Sequence, residues 1–342
     1  VFDLAGTASN ALIAGFRIQN GYVLEDHGGG AGVQMAGGTV SNCVIYNNEA
    51  RRLSGGGFAN RGAGVKMSGG LVANCTIDNN RTSDYWGGRG GGVYLSGGTL
   101  RDSVITNNSA GTSNEGDGGK SGGGVYIDGT GTVINCRIAS NTARHGGLFL
   151  NGGGVARNCT ITKAAIGPGL YLTGGLVENC TISGNKAYDD PSTYSGMYMT
   201  GGTVRNTICY GNQPGYASVQ KTGGTFEYSD SEDATAGVSN LTSNPQFLNP
   251  DSSDYRLGPA SPCVDTGTNQ AWMSSETDIA GNPRLYNGTV DRGAFEDNPT
   301  TGPLRVYWSA SPLSGIDTQP VVVTSILAGS NTTVTYDWIF GD

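Results

Sequence analysis

One short pattern returns along most of this chain and limits what it can fold into. Aligned on the glycine before a Thr-Val or Leu-Val pair, copies fall at Gly38, Gly70, Gly98, Gly131, Gly154, Gly175, Gly202 and Gly224, spaced by 32, 28, 33, 23, 21, 27 and 22 residues. Representative copies read "AGVKMSGGLVANCTIDNN", "GGVYLSGGTLRDSVITNN" and "PGLYLTGGLVENCTISGN", and a partial one, "ALIAGFRIQNG", precedes them. A repeat this short cannot bury its own apolar face, so neighbouring copies must stack into a continuous core. Within each copy the period is two, the period of a strand. Val93 and Leu95 point one way, with Tyr94 and Ser96 opposite. A second short strand follows the glycines, and a third, such as 75–77, follows an asparagine. Three strands per copy, stacked in parallel about 4.8 Å apart, make a right-handed parallel β-helix of about eight rungs.

Composition agrees, since 59 glycines among 342 residues nearly exclude helix. Glycine at the bends supplies positive φ or close backbone approach. The phosphate-loop alternative fails because no GxxxxGK[ST] occurs and no helix follows the glycines. The net charge of −8 argues against a nucleic-acid partner, and no apolar run is long enough to cross a bilayer. The chain starts at Val1 without a leader, which reads as a mature or trimmed product.

Columns follow from the stacking. Asn42, Asn74, Asp102, Asn135, Asn158, Asn179 and Asn206 share one bend and form an amide ladder. Asn47, Asn79, Asn107, Asn141, Asn185 and Asn212 mark the exit from the third strand. Cys43, Cys75, Cys136, Cys159 and Cys180 share one inward position, with Ser103 and Thr207 completing the column. Their spacing is too long for relaxed disulfides, so free thiols acting as small apolar fillers are expected, and no CxxC pair suggests zinc.

The outward position of the first strand runs Gln34, Lys66, Tyr94, Tyr126, Phe149, Tyr171 and Tyr198. Five consecutive aromatics offer a strip that docks a glycan or protein, or that stacks on itself for sheet stability. Loops of variable length leave each early rung at one corner, and Tyr85 and Trp86 on one of them join the candidate binding residues. Catalytic residues are not indicated. Asp128 is the one acid among the outward first-strand positions, whereas hydrolysis needs two converging carboxylates. Arg51, Arg52, Arg61, Arg81, Asp84, Arg89, Glu115 and Asp117 populate the loop wall. His27 and His145 read as surface or turn residues, and the acids of the tail as turn formers rather than calcium ligands. No metal or other cofactor is implied.

From about residue 230 the repeat gives way to a segment expected to cap the stack. Its motifs "NPQF", "DYRL", "SPCVDTG", "DIAGNPR" and "VDRGAFE", together with the rungs, make residues 10 to 297 resemble bacterial β-helix proteins carrying a choice-of-anchor Q domain, similar in fold to pectate-lyase-like proteins. That resemblance implies export and frequent surface attachment. The final stretch resembles the middle of a PKD-type immunoglobulin-like domain through Tyr336, Trp338, Phe340, Gly341 and Asp342. About 45 residues cannot close such a sandwich, so completion by further sequence or by another copy is implied.

The expected organisation is all-β, with rungs over 1–229, a cap over 230–297 and a partial immunoglobulin-like segment over 298–342. The expected function is a non-catalytic extracellular or cell-surface segment acting in adhesion, glycan binding or assembly, with polysaccharide as partner and self-association through the C-terminal segment. Two alternatives stay open: a polysaccharide lyase or glycoside hydrolase, and a subunit of an extracellular filament.

Overall fold

Alternating apolar residues broken by glycine and asparagine every few positions leave the backbone no choice but three-residue strands. In the computed structural model these strands form three parallel nine-stranded sheets. The structure describes residues 2–4, 10–24, 29–51, 60–83, 88–111, 120–187, 194–297, 305–311 and 322–328. One rung runs through Val93–Leu95 in sheet A, Thr99–Arg101 in sheet B and Val104–Thr106 in sheet C. Each strand pairs in register with its equivalents above and below, as Val93 does with Val65 and Val125. The partial copy at the start forms a full rung, giving nine rather than eight.

The core is one continuous column of inward residues, including Val40, Ile45, Met67, Leu95, Ile138, Leu172 and Phe226. The cysteine column is buried and its thiols are free, but its members are more than fillers. Cys43, Cys75, Cys136 and Cys159 each lie within hydrogen-bond reach of the carbonyl two residues back, as Ser103 and Thr207 do at 2.7 and 3.0 Å. The position selects a small side chain carrying a donor, which explains why Cys, Ser and Thr interchange there.

The asparagines divide differently from the sequence expectation. The buried ladder consists of Asn48, Asn80, Asn108, Asn141, Asn185 and Asn212. Asn47, Asn79 and Asn107 instead occupy the left-handed corner just before it, with φ of 52–55°. In the ladder the Asn80 backbone N–H and Nδ2 both donate to Asn108 Oδ1, at 2.9 and 3.0 Å. Asn108 repeats the pattern onto Asn141. Glycine makes room for it. A Cβ on Gly92 would lie 2.9 Å from Asn108 Cγ and 2.7 Å from the Gly124 carbonyl oxygen.

Two further features are absent from the sequence reading. A fourth parallel sheet, D, joins Tyr22–Leu24, Glu49–Arg51, Arg81–Ser83 and Ser109–Ala110 where the long loops depart. Arg61 and Arg89, on the returning ends, pair in a two-stranded ladder.

The tail does more than close the end. Residues 238–241 add onto the last strand of sheet C. The antiparallel hairpin Phe247–Asn249 and Asp254–Leu257 then packs on the outer face of that sheet. The chain continues along the B–C corner, where Asn206, Asn179 and Asn158 donate to the carbonyls of Thr268, Asp291 and Thr277. Three members of the first asparagine column thus bind the tail. It braces the flank of the later rungs, because the amides there are the polar groups still seeking acceptors. Helix and tail form one compact unit, Val1–Glu296, and Asp297–Asp342 forms a second. In the second unit Arg305–Ser311 pairs antiparallel with Val322–Ala328. Tyr336 to Asp342 lie outside the described residues.

Candidate functional site

The outward column of sheet A runs Asp3, Gln34, Lys66, Tyr94, Tyr126, Phe149, Tyr171 and Tyr198 in exact register across adjacent strands. Strand spacing forces the rings into a stack. Centroids are 5.7 Å apart for Tyr94–Tyr126 and 4.8 Å for Tyr126–Phe149 and Phe149–Tyr171, with interplanar angles of 8–10°. Tyr198 follows at 4.8 Å but tilts by 50°, and Tyr194 stacks on it.

Of the two readings the sequence left open, stacking of the rings on one another describes most of this strip. Tyr94 and Tyr126 are each 3 % exposed and Phe149 8 %. Side chains of the returning loop ends lie over the rings. The Arg61 guanidinium is 5.0 Å from the Tyr94 centroid, that of Arg89 is 5.3 Å from Tyr126, and His145 meets Tyr171 edge-on at 5.1 Å. Each cation belongs to the rung before its ring, so the arginines interleave with the stack. Sequence spacing could not place Arg61 and Arg89 there, because variable loops separate them from the strands they cover. Tyr171 and Tyr198 keep partial exposure. Tyr85 and Trp86 lie outside the described residues, as do Arg52, Asp84, Glu115, Asp117 and His27.

A polar chain runs beside the rings. Tyr94 Oη donates to Asp128 Oδ2 at 2.6 Å, Asn151 Nδ2 donates to Asp128 Oδ1 at 3.0 Å, and Thr173 Oγ1 donates to Asn151 Oδ1 at 2.9 Å. Asp128 and Asn151 fall in the two rungs whose sheet-A strands extend to four residues. Burial and the Asp128 bond push the Tyr94 phenol far above its ordinary range, and burial raises Tyr126 and lifts Tyr171 to about 12. The phenols therefore serve as neutral donors. Burial and the nearby Arg144 charge lower His145, keeping it neutral near pH 7. It lies 3.3 Å from Ser121 Oγ, but the following Gly122, Gly123 and Gly124 amides all donate to the next rung, leaving none of the three for an oxyanion.

Where the rings end, a cavity of about 210 Å³ opens between Gln34, Arg61, Lys66, Tyr94, Ser68 and Ser96. It presents two cations, an amide, two hydroxyls and the edge of a ring stack. Asp3 and Asp128 are the carboxylates on this face among the described residues, and four rungs separate them. At about 4.8 Å per rung they are roughly 19 Å apart, twice the widest separation that glycoside hydrolysis tolerates. Among the described residues no cluster of three or more His, Cys, Asp or Glu side chains is arranged to hold a metal ion.

A family model described as a right handed beta helix region matches residues 123–250. Among curated proteins, none matches the chain. The three parallel sheets and this match together make the fold a right-handed parallel β-helix.

Proposed function

We propose that this chain is a non-catalytic binding scaffold that holds a polysaccharide along the outer face of sheet A, as the adhesive segment of an exported bacterial surface protein. One observation carries the reading: a rigid ladder of stacked rings ends in a pocket walled by Arg61, Lys66 and Gln34, while the neighbouring carboxylate, Asp128, is already engaged by Tyr94 and Asn151. Aromatic edges, amides and cations along a rigid groove suit a sugar chain, and the cations favour one carrying negative groups. Tyr171 and Tyr198 are partly exposed at the other end of the ring stack, separated from the pocket by the buried Tyr126 and Phe149.

Export and surface attachment rest on the resemblance of the tail motifs to choice-of-anchor Q proteins. The antiparallel pair Arg305–Ser311 and Val322–Ala328 supports a PKD-like segment, which self-association through a neighbouring copy would complete.

The test is calorimetric titration with anionic and neutral polysaccharides, alongside reducing-sugar release and absorbance near about 235 nm. Saturable binding without turnover, weakened by Arg61→Ala and Lys66→Ala together, is expected. Turnover of any polysaccharide makes the protein an enzyme and refutes the proposal, as does indifference of binding to both substitutions.

A further inference from the structure

The corner after sheet C is a left-handed position in every rung from Asn47 to Gly211. Its occupants are Asn47, Asn79, Asn107, Ser140, Lys163, Gly184 and Gly211, with φ between 52° and 69°. In the early rungs polar side chains fill this row. Asn47 donates to Asn20, Asn79 to Asn47, and Asn107 to Asp78. The seventh and eighth rungs carry glycine instead, Gly184 and Gly211. Glycine is not required there by backbone conformation alone, since Asn47, Asn79 and Asn107 take a similar φ at the same corner.

The stripped corners lie beneath the tail hairpin, which stands off from sheet C and leaves a cavity of about 500 Å³. Gly184 and Gly211 form part of its wall. Around them stand Lys163, Asp251, Gln246, Tyr210 and Phe247. Phe247 is fixed by an edge-on contact with Tyr255 at 5.3 Å, and Tyr255 is itself buried. The side chains of Lys163, Gln246 and Asp251 make no hydrogen bond or ion pair among the described residues, though all converge on the same space. The volume is that of a small-ligand site, which binds through apolar walls and a few oriented polar groups.

We infer that this cavity is a second saccharide site, for a neutral hexose-sized unit, on a different face from the sheet-A groove and independent of it. The chemistry selects the class. Two aromatic rings offer apolar faces to the C–H face of a pyranose, while an amide, an ammonium and a carboxylate meet its hydroxyls. One positive and one negative group cancel, so a net-charged ligand gains nothing. The missing asparagines leave the ring its room.

Titration of the purified chain with methyl α-glucoside, methyl β-galactoside and N-acetylglucosamine, followed by protein-detected NMR, tests this. At least one sugar should saturate and shift the residues around Gly184 and Gly211. Gly211→Asn, a residue the corner accommodates elsewhere, should weaken binding about tenfold or more with the unfolding midpoint nearly unchanged. Gln246→Ala provides the same readout if Gly211→Asn disturbs folding. The sheet-A variants Arg61→Ala and Lys66→Ala should leave this binding intact, which separates it from the groove. Failure of all three sugars to saturate, or binding indifferent to both Gly211→Asn and Gln246→Ala, overturns the inference.

Discussion

Asn108→Ala should be among the most damaging single changes in the solenoid, although it removes only a small polar side chain. Asn108 Oδ1 accepts from the Asn80 backbone N–H and from Asn80 Nδ2, and its own Nδ2 donates to the Ile77 carbonyl and to Asn141 Oδ1. Truncation leaves the Asn80 N–H in the interior with no acceptor, at a cost of about 1–3 kcal/mol. The other three bonds and the small void contribute about 2 kcal/mol more, for a total near 4 kcal/mol. That is a large part of the roughly 5–15 kcal/mol that holds a folded domain together. The control is its neighbour Asn107, whose exposed amide makes one bond, to Asp78. Asn107→Ala loses that exposed bond and strains a left-handed residue, about 1–2 kcal/mol in all. Urea unfolding followed by far-UV circular dichroism measures both, and hydrogen exchange at the Asn80 amide reads the ladder directly. If Asn108→Ala costs no more than Asn107→Ala, or if the Asn80 amide keeps its protection, the ladder is not what stabilises the rungs.

Other expectations follow from neighbouring features. Gly92→Ala should cost about 1–3 kcal/mol, because its methyl meets the Gly124 carbonyl oxygen and Asn108 Cγ; thermal unfolding measures it, and a neutral result would mean that the ladder yields. Glu178 is buried between Arg157 at 2.6 Å and Arg205 at 3.1 Å, so Glu178→Gln should destabilise by about 2 kcal/mol, less than a wholly buried pair because both arginines keep some solvent. Burial raises the Glu296 carboxyl to about 8, outweighing Arg284 at 3.5 Å. The folded state therefore holds that proton more tightly than the unfolded chain, and the associated stability is full below about pH 4.5 and lost as pH rises through about 8. Unfolding midpoints of Glu296→Gln should show a flatter fall over that window than those of the parent. Burial also pushes the Cys159 and Cys180 thiols well up, so a thiol reagent near pH 8 should react with them only after denaturation.

The period-two pattern, the glycines and the shared inward cysteine position were legible because each belongs to a single rung and simply repeats. The two asparagine columns were not separable in that way. In "NN" at 79–80 and 107–108 both residues fit a turn, and only the left-handed twist at the first decides which amide enters the core. Arg61 and Arg89 escaped notice for a different reason: they cover Tyr94 and Tyr126 from across loops of unequal length, so no fixed spacing links them. Tail contacts such as Asn158 to Thr277 join residues 119 apart, beyond any local signal. Asp128 was visible as an outward acid, but its capture by Tyr94 joins two neighbouring rungs and has no local signal.

In the interior ladder Asn48, Asn80, Asn108 and Asn185 donate through Nδ2 to the amide oxygen of the following rung, which thereby accepts from the preceding one. At Ala164 the side-chain bonds are missing, while its backbone N–H keeps the ladder's usual bond, donating to Asn185 Oδ1. Outside that junction, a duplicated rung spliced between two asparagine rungs would find both its needs already met by its neighbours. Such a chain can lengthen one turn at a time without redesigning any ladder contact, and Ala164 is the position where the run of amides is interrupted.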